Sequence, residues 1–479
     1  MPNRRVTRVL PIVLILLSSG ISVLLGLLVN RASPAGTENY RAVYYGARCL
    51  IHGTDPYQPG EFLRIYNAES GKAPTDPLKK FLFLRAATVC VNLPTTLFLV
   101  AALAMLPWGP SHVLWLALIA VSLTVAAFLA FDVAKAYAPR VSLFLICILL
   151  ANSEVLFAVG NTAGLAVSLC VIAVWCFLKK RYEWLGVLGL SLSLALKPHD
   201  SGFVWLLLLV AGSALRKRAL QSIAITALLA APALLWVSHV APNWPRELAV
   251  NLAQTSAPGD ISDPGPRSIS RSGSADVIID LQTVLSLFRD DPKVYNFAAF
   301  AICALLLCIL LIGALRRSNT QSGIWFGLAA IAALSMLPSY HRPYDAKLLL
   351  LAIPASAMLW ARGGHYARLT VVLTGLAITL TGDIPLAVIS MLTRNMDVTQ
   401  MGVAAKISTI WLLRPAPLAL LGTAIFYSWF YLRREIGPEF GLRAGQTSEP
   451  AVPSRKAESH QAQPHDLESR SATLAKGGR

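Results

Sequence analysis

The feature that most constrains this chain is a series of long apolar blocks. The first, residues 7–29, reads TRVLPIVLILLSSGISVLLGLLV. A helix needs about 20 mostly apolar residues to cross a bilayer. Hydrocarbon offers backbone groups no partner outside their own segment, so such blocks fold as helices. Transmembrane β-barrels are written in short alternating segments, and the sequence has none. Twelve further blocks follow at 88–107, 111–131, 141–158, 161–178, 184–197, 202–215, 219–239, 295–315, 323–338, 346–361, 368–393 and 409–431. Only 14% of the 479 residues are charged, against about 25% in soluble domains. The expected fold class is all-α: a polytopic integral membrane domain over 1–436, followed by a polar tail at 437–479 that is too poor in apolar residues to order itself.

Charge sets the expected topology. The net charge of +17 is concentrated in short loops and the tail, which points to membrane orientation and attraction to anionic lipid rather than to nucleic acid. Arg4-Arg5, Lys179-Lys180-Arg181, Arg216-Lys217-Arg218, Arg316-Arg317, Arg362 with Arg368, and Arg433-Arg434 all fit the cytoplasmic side. Gly160-Asn161, Lys197-Pro198-His199, a loop at 240–294 and the Tyr340–Asp345 stretch then fall outside, as does a first loop at 31–80. With both termini cytoplasmic the number of spans is even, so twelve crossings are expected. One of 88–107, 111–131 and 141–158 then does not cross. The first block is too long for a signal-peptide core and reads as an uncleaved helix. Segments 184–197 and 202–215 are short, and read as a helix pair meeting at a polar point around Lys197 and His199. Most of the seven cysteines (among them Cys147, Cys170, Cys176, Cys303 and Cys308) lie inside apolar runs as small packers. Neither a disulfide framework nor a metal-ligand spacing is visible, and Asp290-Asp291 lacks partner ligands, so no metal or cofactor is expected.

The first loop is dense in Tyr, Arg, Glu and Asp (TENYRAVYYGARCLIHGTDPYQPGEFLRIYNAES), unlike a plain connector. It holds Asn39-Tyr40-Arg41-Ala42-Val43-Tyr44, then Ala47-Arg48, then Gly53-Thr54-Asp55-Pro56-Tyr57. Downstream come Gly160-Asn161 with Gly164, Lys197-Pro198, and Tyr340-His341-Arg342-Pro343-Tyr344-Asp345. In this order the motifs resemble glycosyltransferase family 87, whose first loop reads roughly Asp-Phe-Arg-Ala-Phe-Tyr and then Gly-x-Asp-Pro-Tyr. The resemblance implies a GT-C-type membrane enzyme that takes a mannose-like hexose from a polyprenyl phosphate. It would pass the sugar to a glycolipid or glycan hydroxyl at the outer face of a bacterial inner membrane. It also implies a substrate-binding set of Asn39, Tyr40, Arg41, Tyr44, Tyr57, Asn161, Lys197, His199, His341, Arg342, Tyr344 and Asp345. The family's first-loop aspartate is Asn39 here, and a carboxamide is no base. The catalytic candidates are therefore Glu38, Asp55 or another carboxylate, with a lost or altered activity as the remaining alternative.

The residues support similar chemistry on their own terms. A leaving phosphate needs cations and donors at the membrane surface. Lys197, His199, His341, Arg342 and Lys347 fall at expected outer helix ends, where snorkelling or interfacial anchoring is the competing explanation. Arg342 serves equally well as a partner for Asp345. Glu154, alone in an apolar run, is a functional candidate by position. Trp244 and Trp325 read as interfacial residues, and residues 274–288 (SADVIIDLQTVLSLF) as an amphipathic surface helix. The rival class is a transporter or flippase of a lipid-linked or small anionic substrate. That class predicts ionisable groups at the bilayer midplane and broken helices. The sequence shows no internal duplication to support it.

Overall fold

The computed structural model describes residues 4–32, 37–69, 80, 84, 88–266, 268, 278–316, 320–393, 396, 398 and 400–433. All belong to one compact unit, Met1–Ile436. The tail at 437–479 lies outside the described residues. The described secondary structure is helical throughout, as expected of a chain that buries its backbone in lipid.

Helix α1 spans Arg4–Ala32 and is followed by two first-loop helices, α2 (Glu38–Ile51) and α3 (Pro59–Glu69). Next come α4 (Pro94–Ala104), α5 (Trp108–Ala134), α6 (Pro139–Ala151), α7 (Glu154–Val159) and α8 (Ala163–Lys179). Then α9 (Glu183–Leu196), α10 (Pro198–Val210), α11 (Ser213–Val240), α12 (Trp244–Thr255) and the single turn α13 (Gln282–Leu285). The last third holds α14 (Pro292–Leu315), α15 (Gln321–Leu334), a 3₁₀ segment Asp345–Leu351 running into α16 (Ala352–Arg362), α17 (Gly364–Leu380), α18 (Asp383–Thr393), α19 (Val403–Leu413) and α20 (Pro415–Leu432).

Among the described residues, six helices or helix pairs are long and apolar enough to cross a membrane: Val9–Arg31, Trp108–Ala134, Pro139–Val159, Ser213–Val240, Pro292–Leu315 and Pro415–Leu432. Their outer faces carry bare apolar side chains; Leu235 is 73% exposed and Phe297 75%. A soluble surface rarely tolerates contiguous patches of this kind, so lipid is the natural solvent for these faces. The protein is membrane-embedded.

Several expected segments differ in the structure, each for a local reason. Block 88–107 supplies only the 11-residue α4, about 16 Å long and too short to cross. It lies along α2, where Arg48 Nη1 donates to Ala104 O at 3.2 Å and a Cβ on Gly46 would sit 2.9 Å from Leu97. Block 141–158 breaks at Asn152-Ser153 into α6 and α7. Block 368–393 bends by 68° between α17 and α18, and 409–431 divides at Arg414 between α19 and α20. Pro198 starts α10 four residues earlier than expected, and Leu215 belongs to α11. The 274–288 stretch is not a surface helix: Ile278, Ile279, Leu281 and Val284 are buried, and the backbone N–H groups of Ile279 and Leu281 pair with the 337–341 loop. Its first residues, 274–277, lie outside the described residues. Trp325 is likewise interior rather than interfacial.

Candidate functional site

Helix α2 brings the first-loop residues against α5 and α7. Thr37 N donates to Ala158 O at 2.9 Å. Tyr40 stacks on Trp115 (centroids 4.9 Å apart) and shares a 2.6 Å hydrogen bond with Ser111 Oγ. Burial pushes the Tyr40 phenol up to about 12, so it stays protonated and packs. Tyr44 Oη donates to Leu106 O at 2.8 Å. The Arg41 guanidinium lies 5.2 Å from the Trp108 ring centre and donates to Tyr66 Oη at 3.3 Å. Gly160 has φ +64°, and a Cβ there would lie 2.9 Å from both Thr37 and Tyr40. Only glycine allows this approach. The Gly160 carbonyl accepts from Trp115 Nε1 at 2.8 Å, and Asn161 Oδ1 caps Ala163 N at 2.8 Å. Asn39 Nδ2 is buried without a hydrogen-bond partner. Glu38 opens this same helix.

Asp55 forms a turn, accepting from Tyr57 N at 2.8 Å, as Asp-Pro sequences favour. Burial, with the nearby Glu247 carboxylate adding to it, pushes Asp55 up to about 6. Tyr57 Oη donates to Asn92 O at 2.9 Å, and Asn251 Nδ2 of α12 donates to Tyr57 O at 2.9 Å. A few residues after Asn92, Thr95 and Thr96 donate to the carbonyls of Ala195 and Leu196 at 2.6 and 2.8 Å. These bonds bring the Asp55–Tyr57 turn to the end of α9 where Lys197 sits.

The Lys197 junction is dictated by Pro198. The residue before proline is forced extended, and Lys197 adopts φ −155° between α9 and α10. Its ammonium pairs with Asp345 Oδ1, lies 3.4 Å from Asp200 Oδ2, and sits 5.1 Å from the Tyr344 ring centre. Asp345 Oδ2 accepts from Arg342 N at 2.8 Å. Of the two roles open to Arg342 in the sequence, pairing with Asp345 is not the one seen: Lys197 takes the carboxylate, and Arg342 Nη2 donates to Ile261 O at 2.6 Å. His199 and His341 meet edge to face with centroids 5.1 Å apart. Each places Nε2 3.6 Å from Asp200 Oδ1. Burial holds the His341 imidazole down at about 4. Tyr340, the entry to this loop, has φ +30°, strain of a kind that persists where the surroundings over-determine it. The second loop closes over it: Ile279 N donates to His341 O at 2.8 Å and Leu281 N to Leu337 O at 3.0 Å. Beside them Asp280 is buried, accepts from Thr283 N at 3.1 Å, and is pushed by burial up to about 7.

A second polar group lies at the α6–α7 break. The carbonyl of Asn152, freed from helical bonding, accepts from Lys347 Nζ at 2.8 Å and from Asp383 N at 3.5 Å. Asp383 Oδ2 caps Val155 N at 2.8 Å, satisfying one of the orphan donors of α7. Glu154 is buried alongside. The bend between α17 and α18 faces this break, since a Cβ on Gly382 would lie 2.8 Å from Asn152 Cβ.

The structure therefore gathers Lys197, His199, His341, Arg342, Tyr344 and Asp345 at one junction. The phenols of Tyr40, Tyr44 and Tyr57 and the carboxamide of Asn161 turn instead to Ser111, Leu106, Asn92 and the α8 N-terminus. Sequence reasoning passed over Asp200 and Asp383. Asp200 follows Lys197-Pro198-His199 directly, and Asp383 is the one acid in block 368–393; a charge inside an apolar run was the signal available in both cases. No protein-family model matches the sequence, and no curated protein and no solved structure matches it either.

Proposed function

We propose that the protein is a polyprenyl-phosphate-dependent hexosyltransferase of about twelve spans, working at the outer face of a bacterial inner membrane with both termini cytoplasmic. It moves a mannose-like sugar, with inversion, to a glycolipid or glycan hydroxyl. The observation that carries this reading is the convergence of distant polar residues at one helix junction. Arg342 supplies cationic charge for a phosphate, Lys197 is held beside it by Asp345 and Asp200, and His199 is half exposed there. The first loop is tied to the same end through Asn92 and Thr96. Phosphoester departure needs such fixed charge. The acceptor needs a carboxylate base poised near neutral pH. Asp55, pushed up to about 6, meets that requirement, and Glu38 at the start of α2 is the second candidate. With block 88–107 reduced to α4, the remaining twelve blocks match the even count that the basic loops require.

One observation favours a second reading, a transporter or flippase of an anionic substrate. Lys347, Glu154 and Asp383 are buried where two helix breaks face each other, an arrangement typical of substrate sites in transporters. Purified protein given labelled polyprenyl-phosphate mannose and a lipid acceptor separates the two. Transfer that is abolished in Asp55→Asn, and in wild type declines as pH falls through about 6, supports the enzyme with Asp55 as base. Transfer lost only in Glu38→Gln moves the base to α2. Flipping or uptake in vesicles without transfer supports the transporter.

A further inference from the structure

We propose that His199, Asp200 and His341 form a binding site for a divalent transition metal of the Zn²⁺ class, with its remaining coordination position open to an anionic oxygen ligand. The three donor atoms lie within 4.8 Å of one another. His199 Nε2 and His341 Nε2 are each 3.6 Å from the same oxygen, Asp200 Oδ1. Ligands bound at 2.0–2.1 Å with tetrahedral angles are separated by about 3.4 Å; both His–Asp200 separations are within a few tenths of an ångström of this, and the two imidazole nitrogens, no more than 4.8 Å apart, close to it by rotation of the half-exposed His199 ring. Two imidazoles and one carboxylate select a borderline transition ion over Mg²⁺ or Ca²⁺, which demand oxygen-rich shells.

The second observation is that these buried polar atoms lack hydrogen-bond partners. Asp200 is 2% exposed and His341 3%, yet neither Asp200 oxygen and neither His341 ring nitrogen has a hydrogen-bond partner. Buried polar atoms are nearly always satisfied, and unsatisfied ones that point at each other call for a ligand between them. Lys197 approaches Asp200 from the Oδ2 side at 3.4 Å, which leaves Oδ1 to the imidazoles. Its ammonium is itself neutralised by Asp345. Lys197 thus serves as the outer-shell group that orients the ligating carboxylate. His199, with its side chain 46% exposed, gives the ion a route in.

The test is Co²⁺ titration of the full-length chain in detergent, purified without a polyhistidine tag, stripped with chelator, and followed by visible absorption. The expected result is one Co²⁺ per chain, displaced by Zn²⁺. His199→Ala and His341→Ala should each weaken binding by more than the ~10–100-fold typical of outer-shell changes. His239→Ala, an exposed histidine on α11, should leave it unchanged. No saturable Co²⁺ binding by wild type overturns the proposal, as does wild-type affinity in His199→Ala. Because His199 lies at the surface, that variant decides the matter even if the buried His341 variant does not fold. No sugar donor is present in the titration, so failure of the transferase reading leaves its outcome intact.

Discussion

Two buried lysines, Lys197 and Lys347, solve the same problem in opposite ways. Lys197 sits between Asp345 and Asp200. Lys347 forms no ion pair among the described residues and instead donates to the backbone carbonyl freed at the α6–α7 break. A charge neutralised by carboxylates is locked to them, because removing it strands two buried anions. A charge held by a carbonyl dipole is more easily replaced. The first arrangement specifies a fixed site, whereas the second permits a polar point that can rearrange.

Five substitutions break or sharpen this contrast. The largest effect is expected for Lys197→Met, which strands Asp200 and Asp345 and should cost about 3–5 kcal/mol, read as a lowered unfolding midpoint in detergent. Adding Asp345→Leu should recover part of that loss, because the two sites are directly coupled. Asp280 extends the comparison to an acid answered mainly by a backbone N–H. Its folded value, about 7, lies above the ordinary 3.8, so the folded state holds the proton more tightly. The native state is then most stabilised at low pH and loses up to about 4 kcal/mol as pH rises through 4 to 7. Asp280→Asn should flatten the dependence of unfolding on pH between about 4 and 7. Lys347→Met should cost about 1–3 kcal/mol, the range for losing one charged hydrogen bond, and clearly less than Lys197→Met. Equal losses for the two lysines would erase the distinction. The smallest change is Tyr40→Phe, which removes one hydrogen bond to Ser111 and should cost about 1 kcal/mol while leaving the junction intact.

Much of this architecture was legible in the sequence because hydropathy is written residue by residue. The meeting of two short helices at Lys197 follows from Pro198 and its neighbours alone. The breaks at Asn152 and Thr381-Gly382 were not legible, because neither position carries proline. They depend on tertiary contact: Asn152 meets Lys347, 195 positions later, and Gly382 packs directly against Asn152. Residues 278–288 misled for a related reason: their spacing fits an amphipathic helix, but the 337–341 loop offers backbone partners to Ile279 and Leu281, which leaves only the single buried turn Gln282–Leu285 helical. The site was legible as residue types, while their pairing was not. Arg342 and Asp345 are near neighbours in sequence, yet Asp345 is claimed by Lys197, 148 positions earlier.

The central claim is that the first loop and the Lys197 junction meet at one end of the helix bundle. In a cysteine-free background, single cysteines at Gln58, His199 and Tyr182, all exposed, can be challenged with a membrane-impermeant thiol reagent in sealed vesicles of known orientation. Gln58→Cys and His199→Cys should react from the same side, and Tyr182→Cys, at the far end of α9, only from the other. Labelling of Gln58→Cys and His199→Cys from opposite sides would contradict the account.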